Sequence, residues 1–247
     1  MNESSKLKYP GLDLESMSIV PNYQNWILDK FAPFLGDKIL EVGAGCGNQT
    51  KFFWNRFKKG LTSFEPASEM FPLLEKAVGE LETGDEKIET HNKYLSELVP
   101  NFLEKEPTGL FDSAMYINVL EHIEDDIEEM KNVYSVLKPG GHILTFSPAM
   151  NFLMSDFDRS IGHFRRYSLG EMKSKMKAAG FEIVQAYYMD SIGIIPWFLF
   201  FTLMKKKLNS KSADIYDKFV IPTLKAIEPN SILPFGKNIM VIGRKKE

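Results

Sequence analysis

Short apolar runs alternate with amphipathic stretches along most of the chain, the signature of βαβ units wound around a mainly parallel sheet. Lys38-Ile39-Leu40-Glu41-Val42 predicts the first strand, Gly43-Ala44-Gly45-Cys46-Gly47 breaks it, and a helix follows from Asn48 to Phe57. Leu61 to Glu65 predicts a second strand, and Ser68 stands where it would cap a helix running towards Leu81. Lys87 to His91 and Phe111 to Asn118 predict the third and fourth strands. The helix expected from Glu124 to Leu137 begins with acids, which oppose the positive end of its dipole, and Lys138-Pro139-Gly140-Gly141 stops it. His142 to Ser147 predicts the fifth strand, Ser168 to Ala179 a helix, and Phe181 to Met189 and Ile239 to Gly243 the last two strands.

Two pieces break the alternation. The stretch from Ser147 to Tyr167 is long, polar and aromatic, and Ser191 to Lys237 carries two expected helices between the last strands. Long connections inside a compact domain are usually functional or disordered, and the aromatic content favours function. Both are expected to cover the carboxyl ends of the strands, where open α/β sheets bind ligands. The chain therefore divides into an N-terminal helical cap (1–36), a core (37–190), a helical insertion (191–236) and a last strand with its tail (237–247), all in one domain.

Composition narrows the function. The 247 residues carry 30 basic and 33 acidic side chains, a net charge of -3, so no global positive field exists to attract nucleic acid. One cysteine, Cys46, excludes an internal disulfide framework and a multi-cysteine zinc site; no metal site is expected, and a reducing compartment fits best. The opening MNESSKLKYPGLDLE lacks the apolar core of a signal peptide, so the expectation is cytoplasmic. The most apolar stretch, Ile192 to Met204, has 13 residues. That is short of the roughly 17–25 a spanning helix needs.

The glycine turn after the first strand permits positive φ and close approach of a ligand to the backbone, and amides at the following helix start favour polar or negative groups. A dinucleotide fingerprint would need a third glycine at position 48, which is Asn48. Glu65, at the end of the second strand, suits a ribose in a nicotinamide dinucleotide or in another nucleoside cofactor. The spacing tilts the choice away from NAD without settling it.

ILEVGAGCGNQT, SFEPASEM, FDSAMYINVLEHIEDD and LKPGGHILTFSPA, in this order and spacing, resemble the class I S-adenosylmethionine-dependent methyltransferases. The EHI segment and the PGG turn are similar to the small-molecule branch that includes ubiquinone-biosynthesis enzymes. The resemblance implies a doubly wound, Rossmann-like sheet of seven strands with the last one antiparallel. It also implies S-adenosylmethionine as cofactor and S-adenosylhomocysteine as product. It puts Gly43, Ala44, Gly45 and Gly47 around the amino acid part of the cofactor, Glu65 and Pro66 at the ribose, and Met70, Tyr94 and Leu95 at the adenine. Asn118, Val119, Leu120 and His122 match the segment lining the methionine end. Tyr23 and Trp26 resemble an aromatic pair folding over the cofactor, with helix packing as the alternative. Glu41 is either a cofactor ligand or a buried acid holding the glycine loop.

Methyl transfer from a sulfonium is an in-line displacement, so the protein mainly aligns the acceptor and excludes water. A base helps where the acceptor is a hydroxyl or a protonated amine. Asp156 to Ser168, reading DFDRSIGHFRRYS, resembles a segment of one methyltransferase subgroup and should hang over the pocket. His163 is the candidate base there, with His122 as a second, and His163, Arg165, Arg166 and Tyr167 are candidate substrate contacts. The alternative is that these arginines pair with Asp156 and Asp158 and fasten the loop.

The expected activity is methylation of oxygen or nitrogen on a small molecule, acidic or lipid-linked in character. The alternatives are a protein methyltransferase, an NAD(P)-dependent oxidoreductase and a non-catalytic cofactor-binding protein. Residues 192–207, apolar and ending in Lys205-Lys206-Lys207, are a candidate for peripheral membrane contact or a homodimer interface. A run apolar all round is usually buried, which favours packing inside the cover.

Overall fold

The computed structural model describes residues 20–81, 84, 86–204, 210–228 and 233–247. The first nineteen residues of the expected cap, and Lys205 to Lys207, lie outside them. Strands β1 (Lys38–Val42), β2 (Gly60–Phe64), β3 (Ile88–His91), β4 (Phe111–Ile117), β5 (Leu137–Pro148), β6 (Glu182–Met189) and β7 (Asn238–Arg244) form one sheet. Their order is β3-β2-β1-β4-β5-β7-β6. β7 runs antiparallel between β5 and β6, as the resemblance implied, and the other pairings are parallel.

The helices are α1 (Pro21–Phe31), α2 (Asn48–Phe57), α3 (Phe71–Gly79), α4 (Leu95–Lys105), α5 (Asp126–Val136), α6 (Asp156–Ser160) and α7 (Leu169–Ala178). The insertion adds α8, helical over Ile194–Trp197 and continuing as a wider π turn over Phe198–Leu203. It also adds α9, formed by Ser210–Ile215 and continuing through Tyr216–Val220 and Ile221–Ile227.

Alternate strand residues sort into two cores, one on each face of the sheet. Ile39, Met115, Leu144 and Met240 pack with Trp26, Phe31, Phe53 and Trp54 of α1 and α2. Leu40, Ala114, Ile143 and Val241 pack with Phe102, Met130, Val133 and Met176 of α4, α5 and α7.

One helix appears where the sequence reading assigned no element, and two local expectations are corrected. α4 occupies a stretch where the sequence predicts no helix and contains Pro100. Burial of Leu95 and Phe102, and a bond from the Tyr94 amide to Glu97 Oε1 (2.8 Å), outweigh the proline's cost of about 3 kcal/mol. Lys138 to Gly141 does not separate a helix from a strand. Leu137 already pairs with Phe111 and His142 with Ser113, so the Pro-Gly-Gly bulges out within β5 around Gly140 at φ +75°. Ser68 does not cap α3; Met70 precedes the helix without a side-chain cap, and the Ser68 hydroxyl donates to Glu69 instead.

The insertion is tied down by buried acids. Asp190, at the end of β6, accepts hydrogen bonds from the Tyr23 and Tyr216 hydroxyls and the Gly193 amide, and pairs with Lys237 at 2.8 Å. Asp217 of α9 accepts from the Asn22 and Tyr23 amides at 3.0 and 2.8 Å, capping α1, whose own Val20 supplies no cap. The expectation that the apolar run from Ile192 would be buried does not hold. Trp197 and Phe201 pack on Phe157, and Arg166 and Lys237 lie over the Trp197 ring, but Ile195, Phe200, Leu203 and Met204 are exposed because these contacts gather on one side of α8. No described helix is long and apolar enough to cross a membrane.

Because Asp217 caps α1 from 195 residues away, Asp217→Ala should loosen both ends of the chain at once. The expected loss is about 1–2 kcal/mol in urea denaturation, with Asp217→Asn retaining part of it.

Candidate active site at the carboxyl edge of the sheet

β1 ends in a turn whose Gly43 and Ala44 amides donate to the Phe64 carbonyl at 2.8 and 2.9 Å, drawing the ends of β1 and β2 together. Gly43 sits at φ +71°, and a Cβ there would lie 2.6 Å from Val119 Cγ2. Two constraints, backbone sign and the approach of Val119, therefore demand glycine. Val119 follows Asn118, which comes directly after β4 at φ +53°, a conformation asparagine tolerates better than most residues. The ends of β1 and β4 thus meet as the floor of a cleft.

Glu65 closes one side. Its Oε2 accepts the Gly45 amide at 2.7 Å and its Oε1 the Ala67 amide at 2.8 Å, while the Asn92 side chain donates to its carbonyl at 2.8 Å. Burial raises the Glu65 pKa, and the two amides pull it back. Each carboxylate oxygen keeps a lone-pair direction for a further donor.

The cleft is a cavity of about 390 Å³, within the range of small-ligand sites. Val42, Gly43, Ala44 and Gly45 line it from the turn, Glu65 and Pro66 from the end of β2, and Tyr94 and Leu95 from the start of α4. Asn118, Val119 and His122 line it from the end of β4. Sequence reasoning missed Gln24, Gln49, Lys93, Ile123, Glu129 and Phe164, which also line it. Glu129 was legible only as an acid on the inner face of α5, where it accepts from Tyr116 Oη at 2.7 Å and burial raises its pKa. Phe164 had a fainter signal, an aromatic set among charges in HFRRY.

Other expected site residues do structural work at the edge of the cleft. Glu41 lies beneath the turn and accepts from Thr50 and Ser63 at 2.8 and 2.7 Å, the loop-holding alternative. Burial raises its pKa and the two hydroxyls oppose that. Gly47 caps α2 at φ +81°, with Ala77 too close for a Cβ. Met70 precedes α3, Leu120 and Trp26 are core residues, and Tyr23 belongs to the Asp190 cluster.

The 156–168 segment folds around two acids. Buried Asp158 accepts from Arg166 at 2.7 Å, from His163 Nδ1 at 3.1 Å and from the Ser155 amide and hydroxyl. Burial alone would raise the Asp158 pKa, but the His163 bond and the Arg166 charge hold it far below the usual carboxylate range. Asp126 takes Arg165 at 2.6 Å, Tyr167 Oη at 2.7 Å and Lys175 at 2.8 Å. Arg165, Arg166 and Tyr167 thus fasten the loop, and none of them lines the cavity.

His163 stands behind His122, with ring centroids 4.5 Å apart and planes nearly perpendicular. Burial and the neighbouring His163 hold the His122 pKa down to about 3, against a bond with the Gly162 backbone. His122 is therefore neutral at physiological pH. Glu121, buried behind them, is pushed up to about 7 by burial, with the His163 and Arg166 charges pulling it back. Glu121, His122 and His163 bring one donor atom each within 4.8 Å of one another. Those donor types suit a divalent transition metal, a feature the sequence reading did not expect.

Glu121 should shape the pH dependence of stability. The unfolded chain releases this proton near 4.5 and the folded protein only near 7, so the stability it lends is complete below the lower value and lost as pH rises through the higher. Glu121→Gln should therefore gain on wild type by about 3 kcal/mol between acid and mildly alkaline pH, measured by urea denaturation with chelator present.

Comparison with known proteins agrees with this geometry. A family model described as a methyltransferase domain matches residues 22–186. The ubiquinone biosynthesis O-methyltransferase of Vibrio parahaemolyticus is 28% identical over 125 residues, which are 51% of this chain and 49% of that protein. The chain thus spans about half the length of the curated relatives it matches. Among solved structures, a SAM dependent methyltransferase from Archaeoglobus fulgidus superposes with a TM-score of 0.59 at 15% identity, over 90% of this chain and 93% of that one. The [4+2]-cyclase SpnF reaches 0.63 at 16% identity, over 92% and 80%. With the family model covering the glycine turn, Glu65, the end of β4 and the histidine pair, the chain belongs to the methyltransferase-domain family and has the fold of its S-adenosylmethionine-dependent members.

Proposed function

We propose that the protein transfers the methyl group of S-adenosylmethionine to a hydroxyl oxygen of a small molecule. The observation that carries this reading is Glu65, a buried carboxylate that holds the glycine turn through the Gly45 and Ala67 amides and lines the cavity. Its remaining lone pairs suit the two ribose hydroxyls of the cofactor, a bidentate role that an ionised acid performs well. The carboxylate so links recognition of the sugar to the shape of the turn that receives the amino acid part.

On the acceptor side, Val119, Ile123 and Phe164 give the cavity apolar walls that exclude water. His122, neutral at physiological pH, is suited to accept a hydrogen bond from an acceptor hydroxyl. Bound in the cleft, S-adenosylmethionine would supply an electrophilic methyl group, and His122 would take the proton that the acceptor hydroxyl gives up. His163, hydrogen-bonded to Asp158, acts as a positioning residue behind that ring. The relatives named O-methyltransferase favour oxygen over nitrogen. Since a [4+2]-cyclase shares the fold, transfer itself has to be measured as well as cofactor binding.

Three outcomes follow from this assignment. S-adenosylhomocysteine should bind in calorimetry, and Glu65→Gln should weaken it about 10–100-fold, because an amide N–H would face a backbone N–H. With tritiated S-adenosylmethionine and fractionated cell extract, label should enter the low-mass pool. Once an acceptor is isolated, His122→Asn should lower kcat/KM about 100-fold with cofactor affinity nearly unchanged. Label confined to protein, or binding of NADH in place of S-adenosylhomocysteine, would overturn the reading.

A further inference from the structure

We propose that α8 and α9 dock the protein on an anionic lipid bilayer. α8 is held in a defined position with its apolar surface facing outwards. Trp197 donates its Nε1–H to the Leu153 carbonyl at 3.2 Å, and Trp197 and Phe201 stack against Phe157 at 6.1 and 5.5 Å. From that anchored helix, Ile195 and Leu203 are each 65% exposed, and Phe219 of α9 is 71% exposed. Among the described residues, this apolar face, fixed by packing beneath it, is left uncovered.

Charge identifies what covers it. Residues 192–228 contain six lysines and three acids in a chain whose net charge is -3; Lys218 and Lys225 pair with Asp214 and with Asp29 of α1, so the local excess of positive charge is carried in sequence by Lys205, Lys206 and Lys207. Two of the acids are buried and engaged with backbone amides, Asp217 with Asn22 and Tyr23, and Glu228 with Asp190 and Ser191. The third, Asp214, pairs with Lys218. Three of the lysines follow α8 directly in sequence. An apolar helix flanked by cations matches acyl chains beneath anionic headgroups. A second copy of the chain would instead bring the same lysines against themselves in a two-fold contact.

Topology puts this face beside the site. β6 runs parallel to β5, both being antiparallel to β7, so α8 leaves the same edge of the sheet at which the cavity opens. Phe198 also meets Phe152 of the loop after β5, with ring centroids 6.4 Å apart. A bilayer under α8 and α9 would hold an apolar acceptor close to the cavity edge.

Vesicle co-sedimentation of the full chain tests this. Binding is expected to phosphatidylcholine vesicles containing phosphatidylglycerol, with much weaker binding to phosphatidylcholine alone or in high salt. The double variant I195E/L203E should lose binding about tenfold or more, and Phe219→Glu, at a position too exposed to disturb packing, should lose several-fold. Binding of S-adenosylhomocysteine, followed separately by calorimetry, should stay within about twofold in Phe219→Glu. No binding of wild type to anionic vesicles, or equal binding by Phe219→Glu, overturns the proposal. So does a dimer in light scattering that Phe219→Glu dissociates, since a second copy would then occupy the face. Loss of cofactor binding by wild type with vesicle binding intact would count against the methyl-transfer reading alone.

Discussion

Backbone amides buried at the carboxyl edge of a parallel sheet must be satisfied without water, and here carboxylates satisfy them. Glu65 takes the Gly45 and Ala67 amides, Asp158 that of Ser155, Asp190 that of Gly193, and Asp217 those of Asn22 and Tyr23. An ionised carboxyl only accepts, and it offers several lone-pair directions, so one side chain fixes two or more donors at once. Each of these acids joins segments distant in sequence or closes a turn, and Glu65 does so in the wall of the cavity itself. An apolar side chain in the same place would leave these donors unpaired, at a cost of about 1–3 kcal/mol each where they are buried.

The same economy of charge governs the histidine pair. His122 and His163 stand ring against ring, and two imidazolium charges at that distance would repel. The pair is compatible with a folded protein because His122 stays neutral, while Asp158 and Arg166 lock His163 and the loop that carries it. The basic segment of this loop was thereby committed to structure, and the cavity received from it an aromatic side chain, Phe164. Arg166 reaches further, lying 4.7 Å from the Trp197 ring, so the loop behind the cavity and the exposed helix α8 pack as one unit.

Fold and chemistry remain separate questions. Solved structures that share this sheet include a methyltransferase and a [4+2]-cyclase, at similar levels of identity. The methyl-transfer proposal rests on the set of groups on the rim: the buried carboxylate of Glu65, a glycine turn shaped against Val119, and a neutral histidine beside apolar walls. The insertion between β6 and β7 adds something the shared sheet does not require, an anchored apolar surface beside that rim.

Strand and helix periods, and the glycine turn with its acid on the next strand, could be read from the chain because they depend on neighbours within a few residues. Gly43, Gly45 and Glu65 were found that way, Asn118 through the family resemblance alone, and all four line the cavity. Helix α4 was not legible, since burial of Leu95 and Phe102 overrides the local penalty of Pro100. The bulge at Gly140 was hidden because only pairing with β4 shows that β5 begins before it. Arg165, Arg166 and Tyr167 carry the chemistry of a binding site in sequence, yet their partners, Asp126, Asp158 and the Ala149 carbonyl, decide otherwise. The exposure of α8 was likewise settled by what lies beneath it. A chain specifies its local geometry through sterics and periodicity, whereas the fate of a charge or of an apolar face depends on which distant segment arrives opposite it.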